Sequence, residues 1–120
     1  MKIAVSSQGR NLDSEIDPRF GRAKYFLVID SDTGHCAVHE NNQNLNAIQG
    51  AGIQAAKNVA DIKVEAVITG NVGPKACAAL QAANIKIYLC SNGSIKQAVE
   101  QFREGQLSIT DKANQEGHWV

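Results

Sequence analysis

Several things are scarce in this 120-residue chain, and each scarcity removes a class of protein. Charge of one sign is missing: twelve Lys and Arg face twelve Asp and Glu, so no global field draws the chain to nucleic acid or an anionic membrane. Any anion site must be local. Cysteine is sparse, with Cys36, Cys77 and Cys90 odd in number, widely spaced and without a CxxC pair. That argues against a disulfide framework and for reduced thiols in the cytoplasm. Long apolar runs are absent, and the start "MKIAVSSQGR" turns polar too soon for a signal-peptide core or a membrane span. Aromatics make up only 5% of the residues, yet Phe20 stands between Arg19 and Arg22 in the loop "DPRFGR".

What remains is an ordinary globular balance, 43% apolar and 20% charged, at a length that fits one domain. "KIAVSS" (Lys2–Ser7) reads as a strand running into a long polar loop, Gln8–Arg22. "KYFLVID" and "HCAVHE" flank the turn "SDTG" and predict an antiparallel hairpin. Helical spacing follows at Ile48, Gly52, Ile53, Ala56, Val59 and Ala60, with Asn46 as its N-cap and Gln49 three residues on. "VEAVITG" is a strand covered on both faces, and "NVGPKACAALQAA" a helix accepting Pro74 in its first turn. "IKIYL" is a further strand, and Ser94 caps a last helix that Gly105 ends. The order is βββαβαβα, which predicts a three-layer α/β/α domain over residues 1–105 with a mixed sheet and the hairpin at one edge. Residues 106–120 read as a polar tail.

In open α/β sheets, ligands sit beyond the carboxyl ends of the strands. Two pieces of the loops there resemble anion cradles: Gly73–Pro74 of "GNVGPK", and Ser91–Asn92–Gly93–Ser94, each opening a helix. If the arginine loop folds over the same strand ends, Arg19 and Arg22 join them around one concavity. The alternative is that tight strand-to-helix turns simply need glycine. "GNVGPK" is not a Walker A motif, since its spacing differs and no Ser or Thr follows Lys75.

Metal and nucleophile patterns are thin. His35 and His39 of "HCAVH" lie about 13 Å apart on a strand, too far for one zinc ion, so they read as hairpin residues with Cys36 inward. A helix dipole would lower the Cys77 pKa, but the apolar residues after it favour a packing role. Cys90 closes a strand at the proposed mouth, where a thiolate would reach a thiophilic metal; core packing is the other reading. Asp13, Glu15 and Asp17 share one loop without a fixed histidine, no GxSxG elbow occurs, and strand interiors lack the acids of a two-metal nuclease. His118 would be a ligand only if the tail folds back.

Taken together, "DPRFGRAKYFLVID", "GAGIQAA", "VEAVITGNVGPKACAAL" and "ANIKIYLCSNGSIKQAV" resemble the dinitrogenase iron–molybdenum cofactor biosynthesis family, which includes NifX, the core of NafY, the carboxyl-terminal domain of NifB and the small orange protein. The resemblance runs from Met1 to about Gly105. It implies a ribonuclease H-like topology and a non-catalytic carrier or chaperone of an anionic metal–sulfur cluster, iron–sulfur or molybdenum-containing. It carries over Arg19, Phe20, Gly21 and Arg22 from the first motif and Gly70, Asn71, Gly73 and Pro74 from the second. On this reading the arginines flank an anion pocket, Phe20 anchors their loop, Ser91 and Gly93 line the second cradle, and Cys90 is the metal candidate. Neither Cys90 nor any of the three histidines matches a family signature. The implied partners are cluster-assembly or cluster-accepting proteins, without nucleic acid or membrane, for a monomer or weak homodimer. Two other classes stay open: a small enzyme or sensor for a phosphorylated metabolite, and an adaptor that never holds cofactor.

Overall fold

The computed structural model describes residues 1–43, 46 and 50–114. Six strands form one sheet: β1 (Lys2–Ser7), β2 (Tyr25–Asp30), β3 (Cys36–Glu40), β4 (Ala66–Thr69), β5 (Lys86–Leu89) and β6 (Ser108–Thr110). Three helices join them, α1 (Ala51–Ile62), α2 (Pro74–Ala82) and α3 (Ile95–Arg103). The sheet order is β3-β2-β1-β4-β5-β6. β1, β4 and β5 are parallel, β2 and β3 form the predicted edge hairpin, and β6 returns antiparallel to β5.

Strand alternation sorts the core onto two faces. Ala4, Phe26, Val28, Val67 and Ile87 point to one side, where Ala55, Ala56 and Val59 of α1 and Ala76 and Leu80 of α2 meet them. Ile3, Val5, Leu27, Ile29, Ala66 and Ile68 point to the other, against Ile95, Ala98 and Val99 of α3. The three-layer α/β/α, ribonuclease H-like arrangement is therefore present. Cys36 packs inward on the α3 side, as its place in the hairpin predicts.

Two elements differ from the sequence reading. β6 lies in the stretch read as a polar tail, because a three-residue strand with Ile109 as its lone apolar residue leaves no periodic signal. α1 starts at Ala51 with Gly50 as its N-cap, not at Asn46. Ile48, Gln49 and His118 lie outside the described residues. Among the described residues, no helix is long and apolar enough to cross a membrane.

Candidate functional site at the carboxyl ends of the parallel strands

The long loop after β1 is stitched to the strand ends rather than hanging over them. Ser6 accepts a backbone bond from Asp17 N–H (2.9 Å), and its hydroxyl lies 2.6 Å from the Asp17 carbonyl and 2.8 Å from Thr69 Oγ1. Both hydroxyl residues are fully buried, so this pair fixes where the loop turns. The buried Asp17 carboxylate then accepts the Arg19 backbone N–H at 2.9 Å and lies 3.4 Å from its Nε.

From there the arginine segment runs parallel to a continuation of β4. Asn71 donates its N–H to Pro18 O (2.6 Å) and accepts from Phe20 N–H (3.2 Å), a parallel bridge between Arg19 and Asn71. The two motifs carried over from the family resemblance thus touch directly. Gly70 is needed at this crossing: a Cβ there would stand 2.9 Å from Pro18. Gly21 has the same role on the other side, where a Cβ would stand 2.9 Å from the Gly52 backbone of α1.

Phe20 and the arginines divide the labour. Phe20 is 1% exposed and stacks at a tilt on Phe26, with ring centroids 5.3 Å apart. It occupies one turn of 3-10 helix, Phe20–Arg22, that closes with Arg22 N–H to Arg19 O at 3.3 Å. Arg19 keeps its side chain 60% exposed, and Arg22 is exposed too. Two guanidinium groups therefore project into solvent from a segment whose centre is buried.

The two helix N-termini are not equivalent. α2 opens at Gly73 with Pro74 at its first position and no side-chain cap, and among the described residues nothing accepts from the Lys75 and Ala76 amides. α3 is already closed: Ile95 N–H goes to Ser14 O (2.9 Å), Lys96 N–H to Leu12 O (3.0 Å) and Gln97 N–H to Ser94 Oγ (3.1 Å). Gln97 also returns its side chain to the Ser94 N–H, completing a capping box. Ser91 is exposed, and the Gly93 carbonyl accepts from Ile16 N–H at 3.0 Å. Their loop meets the first half of the long loop, whereas the arginine segment meets Gly70–Gly73. α2 and α3 also sit on opposite faces of the sheet, so their ends flank its edge from two sides.

Cys90 packs on the α3 side, with its thiol 3.4 Å from the Asn92 carbonyl and 3.7 Å from Gln101 Oε1, whereas Phe20 belongs to the opposite cluster. Cys77 packs in the α1/α2 core, and burial, with a smaller push from Asp111, raises its thiol above the ordinary value of 9.0. Among the described residues no three His, Cys, Asp or Glu side chains come together as a metal site.

Three asparagines escaped the sequence reading. Buried Asn41 donates Nδ2 to Ala23 O (2.8 Å) and Gly21 O (3.3 Å), tying the far end of the arginine segment to the chain after β3. Asn58 of α1 holds Asn41 in turn at 2.9 Å. Asn114 bonds the Gly70–Val72 strand on its other side. Asparagine in a polar stretch looks like any loop residue, and only the fold brings these amides to their carbonyls.

A ribonuclease H-like α/β sheet with an arginine loop bonded across its parallel strand ends defines the class. The chain belongs to the dinitrogenase iron–molybdenum cofactor family, whose model matches residues 1–105. It is similar to the apo orange protein of Desulfovibrio gigas, with 40% identity over 95% of this chain and 96% of that one and a TM-score of 0.89. The NMR structure of a candidate NifB protein from Thermotoga is 31% identical over 95% and 97% of the two chains, with a TM-score of 0.80. An uncharacterized protein of Methanocaldococcus jannaschii is 31% identical over 109 residues, 89% of each chain.

Proposed function

We propose that this protein binds an anionic metal–sulfur cluster as cargo, iron–sulfur or molybdenum-containing, and passes it to cluster-assembly or cluster-accepting proteins without catalysing a reaction on it. The observation that carries the reading is the arginine segment. Arg19 and Arg22 are exposed cations on a backbone pinned by Phe20, Asn71 and Asn41, next to the uncapped positive end of α2. Pinning the backbone removes part of the ordering cost of holding an anion. Charge, donors and rigidity suit a multiply charged inorganic anion, which offers sulfur acceptors and no side chain to read.

Non-covalent capture through Arg19, Arg22, Asn71 and the Gly73–Pro74 helix start is the favoured mode, because neither Cys90 nor the histidines gather into a ligand set among the described residues. A carrier that holds cargo by charge and hydrogen bonds releases it without breaking metal–protein bonds.

The test is anaerobic reconstitution, with iron and sulfide in one arm and tetrathiomolybdate and copper in another, followed by desalting, visible absorption and metal analysis. The expected outcome is a stoichiometric charge-transfer band in one arm, lost in the Arg19→Ala/Arg22→Ala double variant and kept in Cys90→Ala. A colourless wild type in both arms, together with thermal protection by inorganic phosphate, would transfer the site to the phosphorylated-metabolite reading.

A further inference from the structure

The edge of β4 keeps making hydrogen bonds beyond Thr69. Asn71 turns its N–H and C=O toward Pro18 and Phe20, so by strand alternation Gly70 and Val72 turn theirs the opposite way. Thr69 O is the last group of β4 tied to β5, by Cys90 N–H at 2.9 Å, and a bend at Gly70 follows. Beyond that bend the Gly70 and Val72 groups meet Asn114. Its Nδ2 donates to Gly70 O (2.9 Å), its Oδ1 accepts from Val72 N–H (2.8 Å), and its own backbone N–H donates to Val72 O (3.1 Å). One residue, 42 to 44 positions away in sequence, thus does the work of a strand.

The segment that delivers Asn114 is itself fastened. β6 pairs with β5, Gln81 Nε2 donates to Asp111 O at 2.6 Å, and Ala113 packs on the α1/α2 core. Val72 is 1% exposed, so without the Asn114 side chain its buried N–H and the Gly70 carbonyl lose these partners, while the bond from the residue 114 backbone N–H to Val72 O remains.

We infer that Asn114 is a positioning residue for the arginine segment, acting through Gly70–Val72 without touching either arginine. The near side of that short strand holds Pro18 and Phe20, and Asn114 completes its far side, so loosening one side loosens the other. By linkage, a ligand held by the arginines binds more tightly with Asn114 in place, and its binding tightens the Asn114 contact by the same factor. This second half rests on the proposed binding; the first does not.

Native-state amide hydrogen exchange on the full chain tests the first half. In Asn114→Ala, the amides of Phe20 and Asn71, which do not contact Asn114, are expected to exchange at least about tenfold faster, one tenfold step being 1.4 kcal/mol. The amides of β1 and α3 serve as controls that stay at their wild-type rates. Asn114→Asp, which keeps an acceptor for Val72 N–H and loses the donor to Gly70 O, should fall between and stands in if the alanine variant does not fold. Faster exchange at Val72 alone, with Phe20 and Asn71 unchanged, would overturn the inference. The second half is read as cluster loss after desalting: Asn114→Ala should release the thiomolybdate–copper band about tenfold faster than wild type. Equal release rates would reject the positioning role for ligand. A wild type that takes up no cluster, with exchange at Phe20 still accelerated, would reject the proposed function and leave the positioning of the segment standing.

Discussion

At the scale of single residues, neighbours in the arginine segment have opposite jobs and should fail in opposite ways. Phe20 is buried against Phe26 and carries the segment's apolar contacts. Phe20→Ala is expected to cost about 3–5 kcal/mol in urea denaturation, as large-to-small core changes do. Arg19→Ala/Arg22→Ala removes exposed charges whose one ion pair among the described residues joins Arg19, 60% exposed, to the buried Asp17 carboxylate, which keeps the backbone N–H of residue 19; it should cost about 1 kcal/mol, less than Phe20→Ala. Circular dichroism melts of the two variants, run beside the cluster assay, separate them: one loses the fold, the other the cargo. A double variant that melts like Phe20→Ala would show the arginines to be structural. The burial of Phe20 matches the anchoring that the family resemblance implies for it. Asn41, Asn58 and Asn114 were not legible, since an amide's value depends on which carbonyls the fold delivers to it.

Among the elements, the two glycine-containing loops looked alike as sequence and differ as structure. Both Gly73–Pro74 and Ser91–Ser94 open helices, and each has the composition of an anion cradle. The start of α3 has spent its first-turn donors on Ser14, Leu12 and its own Ser94. Among the described residues, the start of α2 has not. Ser94 was legible as a cap, but the capping box with Gln97 and the bonds from Ile95 and Lys96 to the long loop appear only in the fold. Ser94→Ala should therefore destabilise the protein by about 1 kcal/mol, measured by urea denaturation, and leave cluster retention at the wild-type level. Loss of the cluster in that variant would bring the α3 end back into the site. The strands were legible for a related reason: nearly continuous apolar runs reveal β1, β2 and β4, which are buried on both faces, and β5 keeps a short apolar run around buried Ile87. β6 is an edge strand of three residues, with nothing in its pattern to mark it. α1 begins at Ala51 behind Gly50 rather than at the Asn46 capping signal, and Gly21 lies against its first turn at Gly52.

Across the whole molecule, the sheet separates two chemistries. The register places Lys2 opposite Asp30 at one end of β1 and Ser7 opposite Tyr25 at the other, some 17 Å away at about 3.3 Å per residue. The arginine segment belongs to the Ser7 end; the hairpin turn belongs to the Asp30 end. There the backbone N–H of Asp32 (2.8 Å) and of Thr33 (3.3 Å) bond the Asp30 carboxylate and hold its pKa below the ordinary 3.8. A depressed carboxylate contributes stability that is full above its unfolded value and is lost as pH falls through the lower folded one. Thermal unfolding from neutral pH down to strong acid should therefore show a decline beginning near 3.8 and continuing below it. Asp30→Asn keeps a side-chain oxygen for the turn but removes the titration. It should be slightly less stable at neutral pH and show a shallower acid decline, with the two curves converging in strong acid. Because the turn is exposed, the difference should shrink in high salt. Cluster retention at neutral pH should be the same for both proteins, since the substitution lies at the far end of the sheet from Arg19 and Asn71. If Asp30→Asn releases the cluster as the arginine variant does, the two ends communicate through β1 and β2, and the site extends well beyond the strand ends that build it.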